Sequence, residues 1–340
     1  MKVLIIGGTG LISTAISREL LARGYDLTLY NRGQTPSRIP AGARYLCGDR
    51  NDFAAFEWHM AEAGTFDCVI DMVCFTPDQA ESDVRAFKGR TGHFIFCSTV
   101  NVYTKPADRY PIREDAARVP IHDDYGTHKA QCEDLFFAAH ARGDFPVTII
   151  RPAHTYGEGG VIIHTFGWST TYLDRIRRGK PIVVHGDGTS LWVPCHADDV
   201  GHAFVHAAGN TAAFGQAYHV TGEEWLTWNR YHQGVAEALN APAPTLVHIP
   251  TDLLVKIAPE RAWTTYNNFS GHNIFDNAAA RRDLDFHYTV PWVEGVRRTV
   301  AWLDAHGKIE NLDDDPFDDR VIAAWEHLAA ALETELSDLK

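Results

Sequence analysis

The chain has 340 residues, 45% of them apolar and 22% charged, the composition of a folded protein with a large core, and its length suits about two domains. With 31 Lys and Arg against 44 Asp and Glu the net charge is −13, which argues against a general phosphate-backbone binder. No stretch is long and apolar enough for a membrane span, no leader precedes the run Met1-Lys2-Val3-Leu4-Ile5-Ile6, and none of the six cysteines forms a Cys-x-x-Cys pair, so a cytoplasmic protein with reduced thiols is expected.

Short apolar runs at residues 3–6, 27–30, 68–70, 94–97 and 147–150 predict strands buried on both faces. Amphipathic segments at 11–23, 52–63, 77–88 and 125–142 predict helices between them. The alternation predicts an α/β protein with a Rossmann-type, doubly wound parallel sheet. Beyond Arg151 the spacing predicts a helix over 165–178, a short strand over 181–185 closed by the turn Gly186-Asp187-Gly188, and helices over 197–208 and 225–239. Residues 1–155 and 182–220 are expected to form the dinucleotide-binding domain, and 156–181 with 221–340 a smaller α/β substrate domain. From Leu303 to Lys340 there are 11 acids and three bases, so most of the acidity belongs to this tail. Its apolar residues Val321, Trp325, Leu328, Leu332, Leu336 and Leu339 recur as one helix stripe, expected to dock on its own chain, with a dimer contact as the alternative.

Gly7-Gly8-Thr9-Gly10-Leu11-Ile12-Ser13 joins the first strand to the first helix. Glycines let backbone approach a pyrophosphate, and a helix N-terminus offers free N–H groups and a positive dipole end. Gly7, Thr9, Gly10, Leu11 and Ile12 are therefore candidate cofactor residues, with Ser13 a small replacement for a third glycine. The second strand ends in Asn31-Arg32 with no carboxylate, and Arg32 suits a 2′-phosphate, so NADP(H) is favoured over NAD(H), which stays possible. Asp49 is placed to meet the adenine amino group and Arg50 to cover the adenine face. Tyr125 and Lys129 stand four apart on one helix face, where an ammonium beside a phenol lowers the phenol's pKa and makes it a usable acid/base.

Gly7–Ser13, Asp49, Thr99 with Val102-Tyr103, Tyr125/Lys129, Arg151-Pro152, Tyr156-Gly157 and His196-Ala197-Asp198-Asp199-Val200 together resemble the extended short-chain dehydrogenases/reductases of the NAD-dependent epimerase/dehydratase type. Asn31-Arg32-Gly33-Gln34 and Gly48-Asp49-Arg50 resemble the chloroplast stem-loop-binding subgroup. The resemblance implies that Thr99 orients the substrate oxygen, Tyr125 moves the proton and Lys129 holds the nicotinamide ribose. It places Met72, Val73, Cys74, Ser98, Pro152 and Ala153 along the cofactor and Asn101 and His154 near the substrate. It also implies a homodimer paired through the helix carrying Leu135, Phe136 and Phe137.

Departures from that pattern bear on the substrate. Val100-Asn101 replaces the acid pair of the dehydratases. Trp192 stands where an arginine grips the diphosphate of nucleotide sugars, and residues 262–274 contain no Arg or Lys. A buried diphosphate without cations is costly. Trp168 and Trp192 are instead candidate rings for a substrate face. The expected function is hydride transfer at a secondary alcohol or ketone of a polar, carbohydrate-like small molecule. A nucleotide-diphosphate-sugar 4-epimerase and a nucleic-acid-binding module without turnover are the alternatives. His202 and His206 share a helix face and are read as solvated, with no metal expected.

Overall fold

The computed structural model describes residues 1–34, 38–120 and 123–339. Lys340, the end of the expected substrate domain, and the side chain of Leu339 in the apolar stripe lie outside the described residues. The chain forms two compact units, one of Met1–Tyr156, Val193–Glu223 and Ile274–Val290, the other of Gly157–Trp192, Glu224–Asn273 and Pro291–Lys340.

The first unit is built on a parallel seven-stranded sheet. Its strands are β1 (Lys2–Ile6), β2 (Asp26–Asn31), β3 (Arg44–Cys47), β4 (Cys68–Asp71), β5 (Phe94–Cys97), β6 (Val147–Pro152) and the strand Gln216–Val220. The spatial order is Gln216–Val220, β6, β5, β4, β1, β2, β3. Progression reverses between β1 and β4, which opens a crevice at their carboxyl ends where ligands bind in such sheets. Helices α1 (Leu11–Ala22), α2 (Phe53–Ala63), α3 (Pro77–Phe87) and α4 (Asp124–Ala141) follow β1, β3, β4 and β5. Period-two alternation divides each strand between two cores. Val3 and Ile5 pack with Ile16, Leu20 and Phe204 on one face, and Leu4 and Ile6 pack with Phe56, Phe87 and Phe136 on the other. Phe136 is thus core, while Leu135 and Phe137 are only partly buried against it.

Two expectations about the domains are corrected. Residues 182–192 belong to the second unit, because Ile182–His185 pairs in parallel with Leu246–Ile249 there. Residues 274–290 belong to the first unit, where Ala280, Leu284 and Phe286 are fully buried in the sheet's core. The expected helix over 165–178 shrinks to Thr171–Arg177. Before it, His164 and Gly167 exchange backbone hydrogen bonds in a tight turn, with Gly167 at φ +107°, a conformation that forbids helix. The C-terminal helix Phe317–Glu335 buries Val321 and Ile322 with Phe166, Ile249 and Leu254, while Leu328, Leu332 and Leu336 stay exposed. Only the first half of the stripe therefore docks on its own unit. Among the described residues no helix is long and apolar enough to cross a membrane.

Candidate active site

The glycine loop forms as the sequence dictates. Gly7 sits at φ +83°, and a Cβ there would lie 2.4 Å from Val73 Cγ1, so the β1 and β4 loops meet only because position 7 has no side chain. Gly10 caps α1, and its carbonyl accepts hydrogen bonds from the Ser13 and Thr14 hydroxyls at 3.2 and 2.7 Å. The first turn of α1 thus opens onto two adjoining cavities.

The first, about 350 Å³, is lined by Gly7, Thr9, Gly10, Asn31, Arg32, Asp49, Arg50 and Val73. Asn31 Oδ1 accepts the Gly33 N–H at 2.8 Å, which commits the amide oxygen to the turn. Its Nδ2 is buried with no partner among the described residues. A hydrogen-bond donor therefore stands at the end of β2, where a carboxylate would present only acceptors. Asp49 turns back on the chain, with Oδ1 accepting the Asn51 N–H at 2.9 Å.

Arg50 departs from expectation. It is 6% exposed, and its Nη2 contacts Asp71 Oδ2 at 3.0 Å, Asp83 Oδ2 at 2.5 Å and the Gln79 carbonyl at 3.1 Å. Its guanidinium is the floor of the cavity, held by two buried carboxylates, and is not a lid on an adenine. Cys74 is also corrected: its side chain is buried 3.9 Å from Cys132 Sγ, and only its carbonyl serves the site, by holding Lys129.

The second cavity, about 310 Å³, is lined by Gly10, Leu11, Ile12, Met72, Val73, Ser98, Thr99, Tyr125, Lys129, Pro152 and Ala153. The structure thus brings the Thr99, Tyr125 and Lys129 set to the glycine loop. α4 starts where it does because Asp123 caps it, accepting the Gly126 N–H at 3.1 Å. A Cβ on Gly126 would lie 2.3 Å from the Asn101 carbonyl. That glycine lets the first turn of α4 close on the Val100–Val102 turn after β5 and sets Tyr125 beside Thr99.

Lys129 is fully buried, and its Nζ donates to the carbonyls of Cys74 at 2.8 Å and Cys97 at 2.6 Å. It lies 6.0 Å from the centroid of the Tyr125 ring and 4.4 Å from that of Phe96. The expected lowering of the Tyr125 pKa by Lys129 is not what this geometry gives. Though 42% of the residue is exposed, its phenol is pushed well above the ordinary tyrosine value, first by burial of the hydroxyl end; the Thr99 hydroxyl opposes this.

Beneath this cavity lies a charged network that sequence reasoning did not assign. Ser98 Oγ donates to Glu133 Oε1 at 2.6 Å, and Glu133 pairs with Arg151 at 2.7 Å and Arg118 at 2.8 Å. Arg151 also donates to the Tyr103 hydroxyl at 2.5 Å. The available signal was position: Glu133 follows Lys129 by one more helical step of four. Phe75, Gln79 and Asn51 were missed as well, though all three line the first cavity. The Thr76/Gln79 capping box that starts α3 is the sign that could have placed Phe75 at the cavity's edge.

Of the candidate substrate residues, Asn101 and His154 belong to the first unit and Trp168 and Trp192 to the second. Asn101 donates its backbone N–H to Thr99 at 3.2 Å, and neither Asn101 nor His154 lines the second cavity. Burial lowers the His154 pKa to about 3. Trp168 is exposed and lines a separate cleft of the second unit with Trp302. Trp192 is corrected: it is 4% exposed, with its ring 5.4 Å from that of Trp228 and 4.9 Å from that of Phe269. It fills the core, as large aromatics mostly do.

The family model for the NAD dependent epimerase/dehydratase family matches residues 3–221. The chain belongs to that family. As a member of it the chain is an NAD(P)-dependent enzyme of oxidoreductase/epimerase type. Among curated family relatives, a 2′-dehydrokanamycin reductase of Streptomyces kanamyceticus is 28% identical over 71% of this chain and 68% of its own. A chloroplast stem-loop binding protein of 41 kDa from Arabidopsis thaliana is 27% identical over 73% of this chain, which spans 65% of that protein's length. Among solved structures, the UDP-glucose 4-epimerase of Bifidobacterium longum, in complex with NAD+ and UDP, superposes with a TM-score of 0.71. It is 19% identical, over 91% of this chain and 100% of its own, a likeness of fold.

Proposed function

We propose that this enzyme is an NADP(H)-preferring oxidoreductase that reduces a ketone, or oxidises the matching secondary alcohol, on a polar carbohydrate-like molecule lacking a diphosphate. The observation that carries this reading is the single cavity in which Thr99, Tyr125 and Lys129 face the glycine loop. The cradle fits a dinucleotide: Gly7 has no room for a side chain, and Gly10 caps α1 without a side chain. Asn31 Nδ2 and Arg32 put donors and a cation at the end of β2, which supports a 2′-phosphate over a free ribose diol.

The nicotinamide, when bound, supplies or accepts the hydride. The protein's part is to orient the substrate oxygen and move its proton. Thr99 Oγ1 accepts the Asn101 N–H, and its hydroxyl hydrogen-bonds the Tyr125 phenol, so the two hydroxyls face the cavity as a pair. Tyr125 gives its proton to the carbonyl oxygen in reduction and takes it back in oxidation. Lys129 is fixed by two carbonyls and lines the same cavity. Val100-Asn101 offers no acid pair for elimination. The name of the Streptomyces relative, a reductase, supports net reduction over in-place epimerisation.

The test is a panel of neutral keto-sugars and glycosides assayed with NADPH and with NADH, beside a panel of nucleotide sugars assayed for epimerisation. NADPH-dependent reduction of a member of the first panel is expected. Turnover confined to nucleotide sugars would replace this reading with the 4-epimerase.

A further inference from the structure

Lys129 ends among aromatic rings. Its Nζ lies over the rings of Phe96, Phe75 and Tyr125, at 4.4, 5.0 and 6.0 Å from their centroids. A cation within about 6 Å of a ring centroid is attracted by the negative face of the ring. The carbonyls of Cys74 and Cys97 take two of the three ammonium N–H groups, which leaves one for a ligand in the cavity. Phe96 is fully buried on β5, where it belongs to the core around Phe136.

Phe75 is placed differently. It is 44% exposed, yet its backbone is anchored. Its N–H donates to Gln79 Oε1 at 2.5 Å, and the same oxygen takes the Thr76 N–H at 3.1 Å in the capping box that starts α3. Gly7, Gly10, Val73 and Phe75 line both cavities, and Phe75 alone of the four carries a ring. That ring stands 6.4 Å from the ring of Tyr125. An apolar ring half in water at this junction has area that a ligand spanning both cavities would cover.

We propose that Phe75 is a positioning residue that acts through Lys129: its ring holds the ammonium at the junction of the two cavities, so that the remaining N–H meets a dinucleotide spanning them. The assignment rests on the dinucleotide reading of the site. It requires the face of the ring and not merely an apolar side chain. Leucine is apolar but has no negative face, and tyrosine keeps one. Fluorine atoms on a phenylalanine ring draw electron density from the face with little change of shape, so they weaken the hold on a cation and leave packing nearly as it was.

The experiment measures the affinity of the full-length chain for NADPH, or for NADH where wild type prefers it, by titration calorimetry. Wild type is compared with Phe75→Leu, Phe75→Tyr and chains in which the Phe75 ring carries one, two or three fluorines. Affinity is expected to fall roughly three- to tenfold in Phe75→Leu, to stay within about twofold in Phe75→Tyr and to decline stepwise with fluorination. In a Lys129→Met background the Phe75→Leu loss should shrink to less than about twofold, because the ring then has no cation to hold. Phe75 is exposed, so its variants are expected to fold, and circular dichroism checks that. Where Lys129→Met does not fold, the rate at which acetic anhydride modifies Lys129, read by peptide mass spectrometry, replaces that comparison: Phe75→Ala should raise it severalfold, and an unchanged rate would overturn the proposal. Affinity indifferent to fluorination, or a Phe75→Leu loss of equal size with and without Lys129, would overturn it as well and leave the dinucleotide reading standing. A wild type that binds neither cofactor would overturn that reading and the proposal with it.

Discussion

Tyr125 is where chemistry and structure meet most sharply. Its phenol is held above the ordinary value and stays protonated through neutral pH, first because its hydroxyl is buried. Reduction needs that proton present, so kcat/KM for reduction should be flat between pH 6 and 8. Oxidation needs it removed, so the reverse rate should climb with pH across the same interval. Steady-state profiles in both directions check this; a reduction rate that falls with a midpoint near pH 7 would identify a different acid. Tyr125→Phe should lower turnover by roughly 10²–10⁴-fold, the range for a lost general acid, and leave dinucleotide affinity unchanged. At the other end of the site, Asn31→Asp with Arg32→Ala should reverse the preference for NADPH over NADH, read as a ratio of kcat/KM values. These residues were legible because their spacing is local. The direction in which Lys129 reaches, toward the Cys74 and Cys97 carbonyls, was not legible, because it depends on two loops far from it in sequence.

The elements that carry the site were read mostly correctly because their signals are internal to them. β1 after Lys2, β4 before Asp71 and β5 are apolar runs, fully buried except for Cys97, and Tyr125, Lys129 and Glu133 repeat every four residues on α4. What escaped was the pairing between elements. Arg50 sits just past β3 and reads as an exposed cation near a ligand. In the fold it joins that loop to Asp71 on β4 and Asp83 on α3, all nearly inaccessible to solvent. Arg50→Ala would leave two buried carboxylates without a counter-charge, and denaturant unfolding should report a loss of about 3–5 kcal/mol. A loss under 1 kcal/mol would mean that the carboxylates are already neutral. The helix over 165–178 failed for a similar reason: Thr170 is tied to Glu310, a contact 140 residues away that no local pattern announces.

At the scale of the molecule, the two-domain α/β organisation followed from length and alternation, but the return of residues 274–290 to the first unit did not. That segment is short and earns its place by burying Leu284 and Phe286 against strands far away in sequence. Both units also bury histidines in their neutral form. Burial lowers His93, His164 and His185 to about 4 and His219 to about 3. An unfolded chain takes up these protons near pH 6.5, so the stability they contribute is complete above that value and is lost as pH falls toward 4. Thermal unfolding should shift several degrees downward between pH 7 and pH 5, and an unchanged Tm would contradict the burial of these rings.

On this reading the crevice between β1 and β4 holds a dinucleotide against Tyr125. Native mass spectrometry of the purified protein, alone and with NADPH or NADH, tests it most directly. We predict one dinucleotide per chain, with the mass of NADP(H), retained by Tyr125→Phe and lost when Gly7→Val fills the cradle. A chain that binds neither cofactor in excess, or a Gly7→Val variant that binds as well as wild type, would contradict the account.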